Sequence, residues 1–172
     1  MKQNIQFTPI NMETWKRREV FWYFFQMAPT GYSLTVNIDI TNMYSVLKNA
    51  EIPFYPAYLW LVTKTLITQP EFTTAVKDGK VGFYTSLTPM YAVFHDDDKT
   101  FSLMWAEYRE DFKEFYQLYK SDNEKYKDNH GILLKKTVCH QKTPIQCPVC
   151  HGLHSNILRC IAMTINHTIS HQ

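Results

Sequence analysis

Cysteine and histidine residues near the end of the sequence are the first candidates for chemistry. Cys147 and Cys150 are separated by two residues, and His151 follows directly. A Cys-x-x-Cys pair is half of a structural zinc site, because two thiolates at this spacing can bind one ion. A tetrahedral site needs further ligands, and the candidates nearby are Cys139, His140, His151, His154 and Cys160.

These residues follow a change in composition at Lys135-Lys136-Thr137-Val138-Cys139, which we call the seam. The residues from Val138 to Gln172, here called the tail, include no Asp, Glu, Phe, Tyr or Trp, yet hold all four cysteines and five of the seven histidines. Two interpretations compete: a small metal site, or a tail that was never selected to fold with the rest. Two features of the tail argue against the metal site: it has few large apolar residues to pack around an ion, and the candidate ligands for a second half-site have no regular spacing.

The chain as a whole has the composition of a packed domain. The chain has 172 residues, of which 45% are hydrophobic and 15% aromatic, and its net charge is +2. Basic and acidic residues are interleaved, so no basic surface predicts a nucleic-acid partner. The N-terminus has no apolar signal segment, and the longest apolar run, Ala57 to Ile67, is too short to cross a bilayer. We expect a cytoplasmic protein without a membrane segment.

Hydrophobic periodicity predicts helices and strands in mixed order, without internal repeats or a glycine-rich phosphate loop. The predicted helices run from Trp15 to Phe25, from Thr41 through Leu47, from Pro56 to Gln69 and from Asp111 through Tyr126. The predicted strands are Tyr32 to Ile40, Phe72 to Val76, Val81 to Tyr84, Met90 to Phe94 and Phe101 to Trp105, with a hairpin turn at Asp78-Gly79. The helix that begins at Pro56 is apolar on most of its surface, so it should be central in the core.

Several short motifs occur in a characteristic order and spacing before the seam. They are Trp15-Lys-Arg-Arg-Glu19, Ile38-Asp-Ile-Thr41, Phe54-Tyr-Pro56, Pro70-Glu-Phe72, Lys77-Asp-Gly79, Val93-Phe-His95 and Thr100-Phe-Ser102. Together they closely resemble the N-terminal part of chloramphenicol acetyltransferases. The resemblance covers residues 1–137, which predicts an incomplete domain of this family, and residues 138–172 form a tail that does not match it.

The resemblance implies an α/β fold of the α+β two-layer type, with a mixed sheet covered by helices and its C-terminal part missing here. It also implies acetyl transfer from acetyl-CoA, as co-substrate, to the primary hydroxyl of chloramphenicol, in a homotrimer with active sites between subunits. No metal is expected. A histidine in an H-H-x-x-x-D-G motif acts as general base in the family, and a serine in an I-S-x-x-P-W segment steadies the oxyanion.

Some residues before the seam match family site positions. Tyr23 and Phe24 match aromatic walls of the antibiotic site, and Phe101 with Leu103 match another wall. Arg17 matches an arginine that pairs with the aspartate of the catalytic motif. Without the resemblance, the four wall residues would be interpreted as core or interface residues. His95 would be an ordinary strand-end histidine. Asp96-Asp97-Asp98 suggests a cation site, but no regular ligand spacing continues after Asp98, so a solvated turn is the preferred interpretation.

Both catalytic motifs are absent from the 172 residues. His151-Gly152-Leu-His154 and His167-Thr-Ile-Ser-His171 contain neither an H-H pair nor a following D-G. A shifted reading frame combines the third base of each codon with the first two bases of the next codon. In that frame, the codons from His140 to Gly152 can encode P-E-N-x-x-x-V-S-x-L-P-W. This string has the form of the family's serine segment. We therefore expect a frameshifted product that is inactive and trimerises poorly. The alternative is a zinc-binding or interaction protein that uses Cys147, Cys150 and His151.

Overall fold

The computed structural model describes residues 5–30 and 38–135. The described helices are α1 (Arg18–Trp22), α2 (Thr41–Asn49), α3 (Phe54–Ile67), α4 (Pro70–Thr73) and α5 (Phe112–Tyr126). The described strands are β1 (Phe7–Pro9), β2 (Thr74–Lys77), β3 (Lys80–Tyr84), β4 (Met90–Phe94) and β5 (Phe101–Trp105). A five-residue π-helical segment, Tyr23–Met27, continues α1 and is called the π turn.

The first sheet is antiparallel, with the strand order β1-β3-β2. Asp78 and Gly79 form the predicted turn between β2 and β3, and both have positive φ, 49° and 73°, as a two-residue hairpin turn requires. Gly82 lies in β3 opposite Pro9, where a Cβ atom would collide with the carbonyl oxygen of Thr8 and the ring of Phe7. This close approach explains a glycine inside a strand.

The second sheet is the antiparallel hairpin β4-β5, which a further segment extends. Leu103 of β5 forms a parallel bridge with Leu133. The amide of Leu103 donates to the carbonyl of Ile132 over 2.8 Å, and the amide of Leu134 donates to the carbonyl of Leu103 over 3.2 Å. The chain is thus folded against β5 immediately before the seam, with α5 as the crossover.

Helices α3 and α5 cover one face of this hairpin. The fully buried cluster takes one residue from α3, one from each strand, one from the following loop and one from α5: Leu59, Tyr91, Met104, Ala106 and Phe115. The indole of Trp60 packs on Phe112 and donates to the carbonyl of Arg109 over 2.8 Å. The α/β architecture with helices layered on antiparallel strands agrees with the predicted fold class, and the predicted central position of α3 is confirmed.

Other predicted elements are confirmed in part. The strand predicted at Tyr32 to Ile40 falls largely outside the described residues, and its described end, 38–40, is not in a strand. The strand predicted at Phe72 to Val76 is wrong in its first half, because Pro70 begins the short helix α4 and its carbonyl accepts from the hydroxyls of Thr73 and Thr74. Among the described residues, no helix is both long and apolar enough to cross a membrane.

Candidate functional site

The π turn positions the first pair of candidate residues, Tyr23 and Phe24. The amide of Ala28 donates to the carbonyl of Tyr23 over 2.9 Å, five residues back, so the turn is wider than in an α-helix. Tyr23 is 50% exposed and Phe24 is 42% exposed. Their rings are 5.1 Å apart and nearly perpendicular, at 87°. Two large aromatic side chains are therefore presented together at the surface instead of in the core.

The second pair, Phe101 and Leu103, lies on β5. The two residues are separated by one position, so their side chains leave the same face of the strand. Phe101 is 53% exposed, and Leu103 is half-buried. Both backbone hydrogen-bonding groups of Leu103 have partners, because its amide and carbonyl form hydrogen bonds with the segment around Leu133. The backbone of this pair is therefore fixed on both sides, by β4 and by the segment before the seam.

The two pairs belong to separate parts of the described chain. The π turn contacts α1, whereas β5 contacts β4, and no extensive contact joins the π turn to β5 within residues 5–30 and 38–135. The structure thus brings Tyr23 to Phe24, and Phe101 to Leu103, but it does not assemble the four side chains into one cavity within these ranges. Each pair presents apolar surface that another surface could cover.

Arg17 precedes α1 and pairs with a residue that the sequence did not single out for this role. Its Nη1 atom lies 2.8 Å from Oε1 of Glu71 in α4. The hydrogen bond from Arg17 lowers the pKa of Glu71 below its ordinary value. Both side chains are more than half exposed, so solvent screens the pair and it contributes little to stability. Glu71 stands in the Pro70-Glu-Phe72 motif, which is the only sequence signal that could have indicated it.

A buried serine–histidine pair joins the ends of β4 and β5. Nε2 of His95 lies 2.7 Å from Oγ of Ser102, and both residues are buried. A serine and a histidine at this distance can act as nucleophile and base, but only where substrate reaches the hydroxyl. Ser102 is fully buried, so the pair ties the two strands together and is not a catalytic dyad.

The remaining predicted site residues, Cys147, Cys150 and His151, lie outside the described residues. Their assignment to a metal site, and the boundary at Thr137, stay predictions. The aromatic walls and the role of Arg17 likewise stay predictions, because the geometry gives their positions and contacts but no ligand.

The chain is similar in sequence to a known protein family. A family model, Chloramphenicol acetyltransferase, matches residues 5–157. The chloramphenicol acetyltransferase of Staphylococcus aureus is 40% identical over 134 residues, which cover 77% of this chain and 61% of the relative. The chloramphenicol acetyltransferase of Clostridium perfringens is 38% identical over 127 residues, which cover 73% of this chain and 59% of the relative. The chain therefore spans about six tenths of the length of these curated relatives.

A solved structure gives independent support for the fold. A chloramphenicol acetyltransferase superposes with a TM-score of 0.58 at 22% sequence identity, over 69% of this chain and 56% of that chain. At this identity the similarity shows the fold alone. The family match extends beyond Thr137 into residues that the structure does not describe.

Proposed function

Because this chain belongs to the chloramphenicol acetyltransferase family, we propose that it derives from an enzyme that transfers acetyl from acetyl-CoA to the primary hydroxyl of chloramphenicol. We propose further that these 172 residues do not by themselves carry out this transfer. The observation that carries the proposal is a contrast along the sequence. Family motifs run from Trp15 to Ser102, whereas the H-H-x-x-x-D-G and I-S-x-x-P-W motifs are both absent from the 172 residues.

The proposed substrate-binding part consists of Tyr23 and Phe24 on the π turn, with Phe101 and Leu103 on β5. Tyr23, Phe24 and Phe101 are 42% to 53% exposed, so their rings are accessible to a ligand or to another subunit. The two pairs lie on elements without extensive mutual contact among the described residues. This separation supports a site that is closed by a second copy of the chain, so that one pair from each copy faces the antibiotic.

The chemistry of acetyl transfer explains why the missing motifs matter. The substrate hydroxyl must lose its proton as it attacks the thioester, and a placed general base contributes about 10²–10⁴-fold to such a step. The developing negative charge needs a placed donor, which contributes about 10²–10³-fold. His95 cannot replace the base, because its ring is buried and bonded to Ser102. We therefore propose that turnover falls below detection even if chloramphenicol binds.

A lost reading frame is the proposed cause of the absence of both motifs from the tail. The codons from His140 to Gly152 are compatible with the family's serine segment when each third base is read with the next two bases. A deletion of one base upstream produces this relation, so insertion of one base near the codon of Thr137 should restore it. The nucleotide sequence tests this directly, since the restored frame should run on to H-H-x-x-x-D-G.

The decisive experiment compares the native chain with the chain expressed from the one-base insertion. Release of CoA thiol from acetyl-CoA is followed with and without chloramphenicol, and the two proteins are purified in parallel. We expect chloramphenicol-dependent thiol release from the restored chain and none from the native chain. Thiol release by the native chain would refute the proposed inactivity, and a stop codon early in the shifted frame would refute the proposed frameshift.

The alternative function rests on the Cys147-x-x-Cys150 spacing alone. If the tail forms a metal site, purified protein should contain one zinc ion per chain, and the double substitution Cys147→Ser with Cys150→Ser should remove it. Under the frameshift proposal, these substitutions have no effect on folding or binding.

A further inference from the structure

Two histidines and an aspartate meet where the β4-β5 hairpin faces the segment after α5. His95 directly follows β4, Asp97 lies in the hairpin loop, and His130 comes from the segment that leads to the seam. The imidazole rings of His95 and His130 are stacked, with centroids 4.2 Å apart and planes inclined by 26°. One ligand atom from each of the three residues can be chosen so that all lie within 4.8 Å of one another.

His95 is oriented as metal-binding histidines commonly are. Its side chain is buried, with 5% of its surface exposed, and its Nε2 atom is 2.7 Å from Oγ of Ser102. If Nε2–H donates to this hydroxyl, the tautomer leaves a lone pair on Nδ1. A second partner that fixes the tautomer and the ring orientation is the usual companion of a histidine ligand.

The loop that carries Asp97 is also held in place. The amide of His95 donates to the carbonyl of Thr100 over 2.9 Å. Oδ1 of Asp98 accepts from both the amide and the hydroxyl of Thr100, over 2.9 and 2.7 Å. Oδ2 of Asp97 lies 3.1 Å from Nε2 of His130, and Oδ2 of Asp98 lies 3.6 Å from the same atom. Two carboxylates thus face the exposed imidazole.

We propose that His95, Asp97 and His130 bind one divalent transition-metal ion of the Zn²⁺ class, with water at the remaining position. Two imidazoles and a carboxylate suit Zn²⁺, Co²⁺ or Ni²⁺ and are unsuited to Mg²⁺ or Ca²⁺, which take oxygen ligands. Bonds of about 2.0–2.1 Å place tetrahedral ligand atoms about 3.3 Å apart. The Asp97–His130 contact of 3.1 Å shows that the two side chains are within reach of one ion.

Binding requires a change in only one of the two rings. Lone pairs of stacked imidazoles run side by side, so one ring must turn for both to point at the same ion. His95 is buried and bonded to Ser102, whereas the side chain of His130 is 40% exposed. The rotation therefore falls on His130. The ion would join the hairpin loop to the segment that bonds Leu103, and so hold the chain in place just before the seam.

The test must separate this site from the thiols of the tail. The parent protein for the experiment is the full chain in which Cys139, Cys147, Cys150 and Cys160 are all replaced by Ser. Zn²⁺ is titrated calorimetrically into this parent, into His130→Gln and into the matched control His151→Gln. Co²⁺ is added to labelled parent, and paramagnetic broadening of the Leu103 and Ile132 amides is recorded by NMR. Circular dichroism of the His130→Gln chain checks the fold, which an exposed side chain should not disturb.

The parent should bind one Zn²⁺ per chain, with broadening at both amides. His130→Gln should weaken binding at least about 10-fold, as should Ser102→Ala through loss of the partner of His95, since such partners contribute about 10–100-fold to metal affinity. His151→Gln should bind as the parent does. Equal affinity of the parent and His130→Gln would overturn the proposal, as would loss of binding in His151→Gln or broadening confined to other amides.

Discussion

Replacement of Lys135 by Met should loosen the last described residues from the sheet. The ammonium of Lys135 donates to the carbonyl of Trp105 over 2.9 Å, pairs with the carboxylate of Asp122 and lies 4.2 Å from the centroid of the Trp105 ring. The indole of Trp105 in turn donates to the carbonyl of Lys135 over 3.4 Å. Met keeps the apolar stem and removes the charge, so Lys135→Met tests these polar contacts.

The expected magnitude follows from the burial of the two partners. A hydrogen bond to a charged group contributes about 1.5–3 kcal/mol and a cation–π contact about 0.5–2 kcal/mol. Burial offsets part of this gain, since it lowers the pKa of Lys135 although Asp122 opposes the shift. We expect Lys135→Met to cost about 2 kcal/mol. Asp122→Asn should cost more, about 3 kcal/mol, because it leaves the more buried ammonium without its partner: 9% of the Lys135 side chain is exposed against 23% for Asp122.

Urea unfolding followed by tryptophan fluorescence measures these costs. For a slope of about 2 kcal/mol per molar urea, Lys135→Met should lower the midpoint by about 1 M. The double variant should cost about 3 kcal/mol, well below the sum of the two single variants, because the charges interact with each other. Single costs that add without coupling would contradict this expectation, as would a change of less than about 0.5 kcal/mol in the free energy of unfolding of Lys135→Met.

Further predictions concern the core, the first sheet and alkaline pH. Phe115→Ala should cost about 3–5 kcal/mol in urea unfolding, since the ring is fully buried, and Phe115→Leu should cost clearly less; equal costs would contradict tight packing. Gly82→Ala should cost about 1–3 kcal/mol, because the new methyl group would meet the carbonyl oxygen of Thr8. Gly131→Ala is the control for steric overlap, because its methyl group would meet no atom within 4 Å, although the positive φ of Gly131 adds strain. An unchanged free energy of unfolding in Gly82→Ala would contradict the close approach. Burial, aided by the charge of Glu110, raises the pKa of Tyr108 to about 12. The native state thus holds this proton more tightly than the unfolded chain, whose tyrosines titrate near pH 10, so stability present below about pH 10 is lost as pH rises towards about 12. Tyr108→Phe should flatten this part of the curve of unfolding midpoint against pH, and an unchanged curve would contradict the assignment.

Local signals predicted the C-terminal half of the described fold well. Strands Met90–Phe94 and Phe101–Trp105 have the predicted bounds, because alternation and the polar loop between them are both visible in the sequence. The last helix begins after Asp111, whose carboxylate accepts from the amide of Glu114 over 2.9 Å, as its capping position predicts. The turn at Asp78-Gly79 follows from the same kind of local chemistry.

Features that depend on distant partners were not predicted. Strand β1 has three residues, ends with Pro9 and exists because it pairs with β3, more than seventy residues away. The bridge between Leu103 and Leu133 likewise has no local signal. The π turn escaped prediction because a hydrogen bond five residues back leaves no distinct hydrophobic period. For the candidate site, the sequence indicated exposed aromatic residues only through family motifs, and the pairing of Arg17 with Glu71 had no signal beyond one motif.

Strand β5 pairs with one neighbour that is close in sequence and one that is distant, and this difference determines the order in which the sheet forms. Its pairing with β4 closes a short loop, and hairpins of this kind form in about 1–10 μs. Its pairing with Leu133 requires closure of a loop of thirty residues that includes α5, so it forms more slowly. Substitutions on the β4 side should therefore slow refolding, whereas substitutions near Ile132 should mainly speed unfolding. The residues just before the seam are then the last part of this sheet to form and the first to be lost.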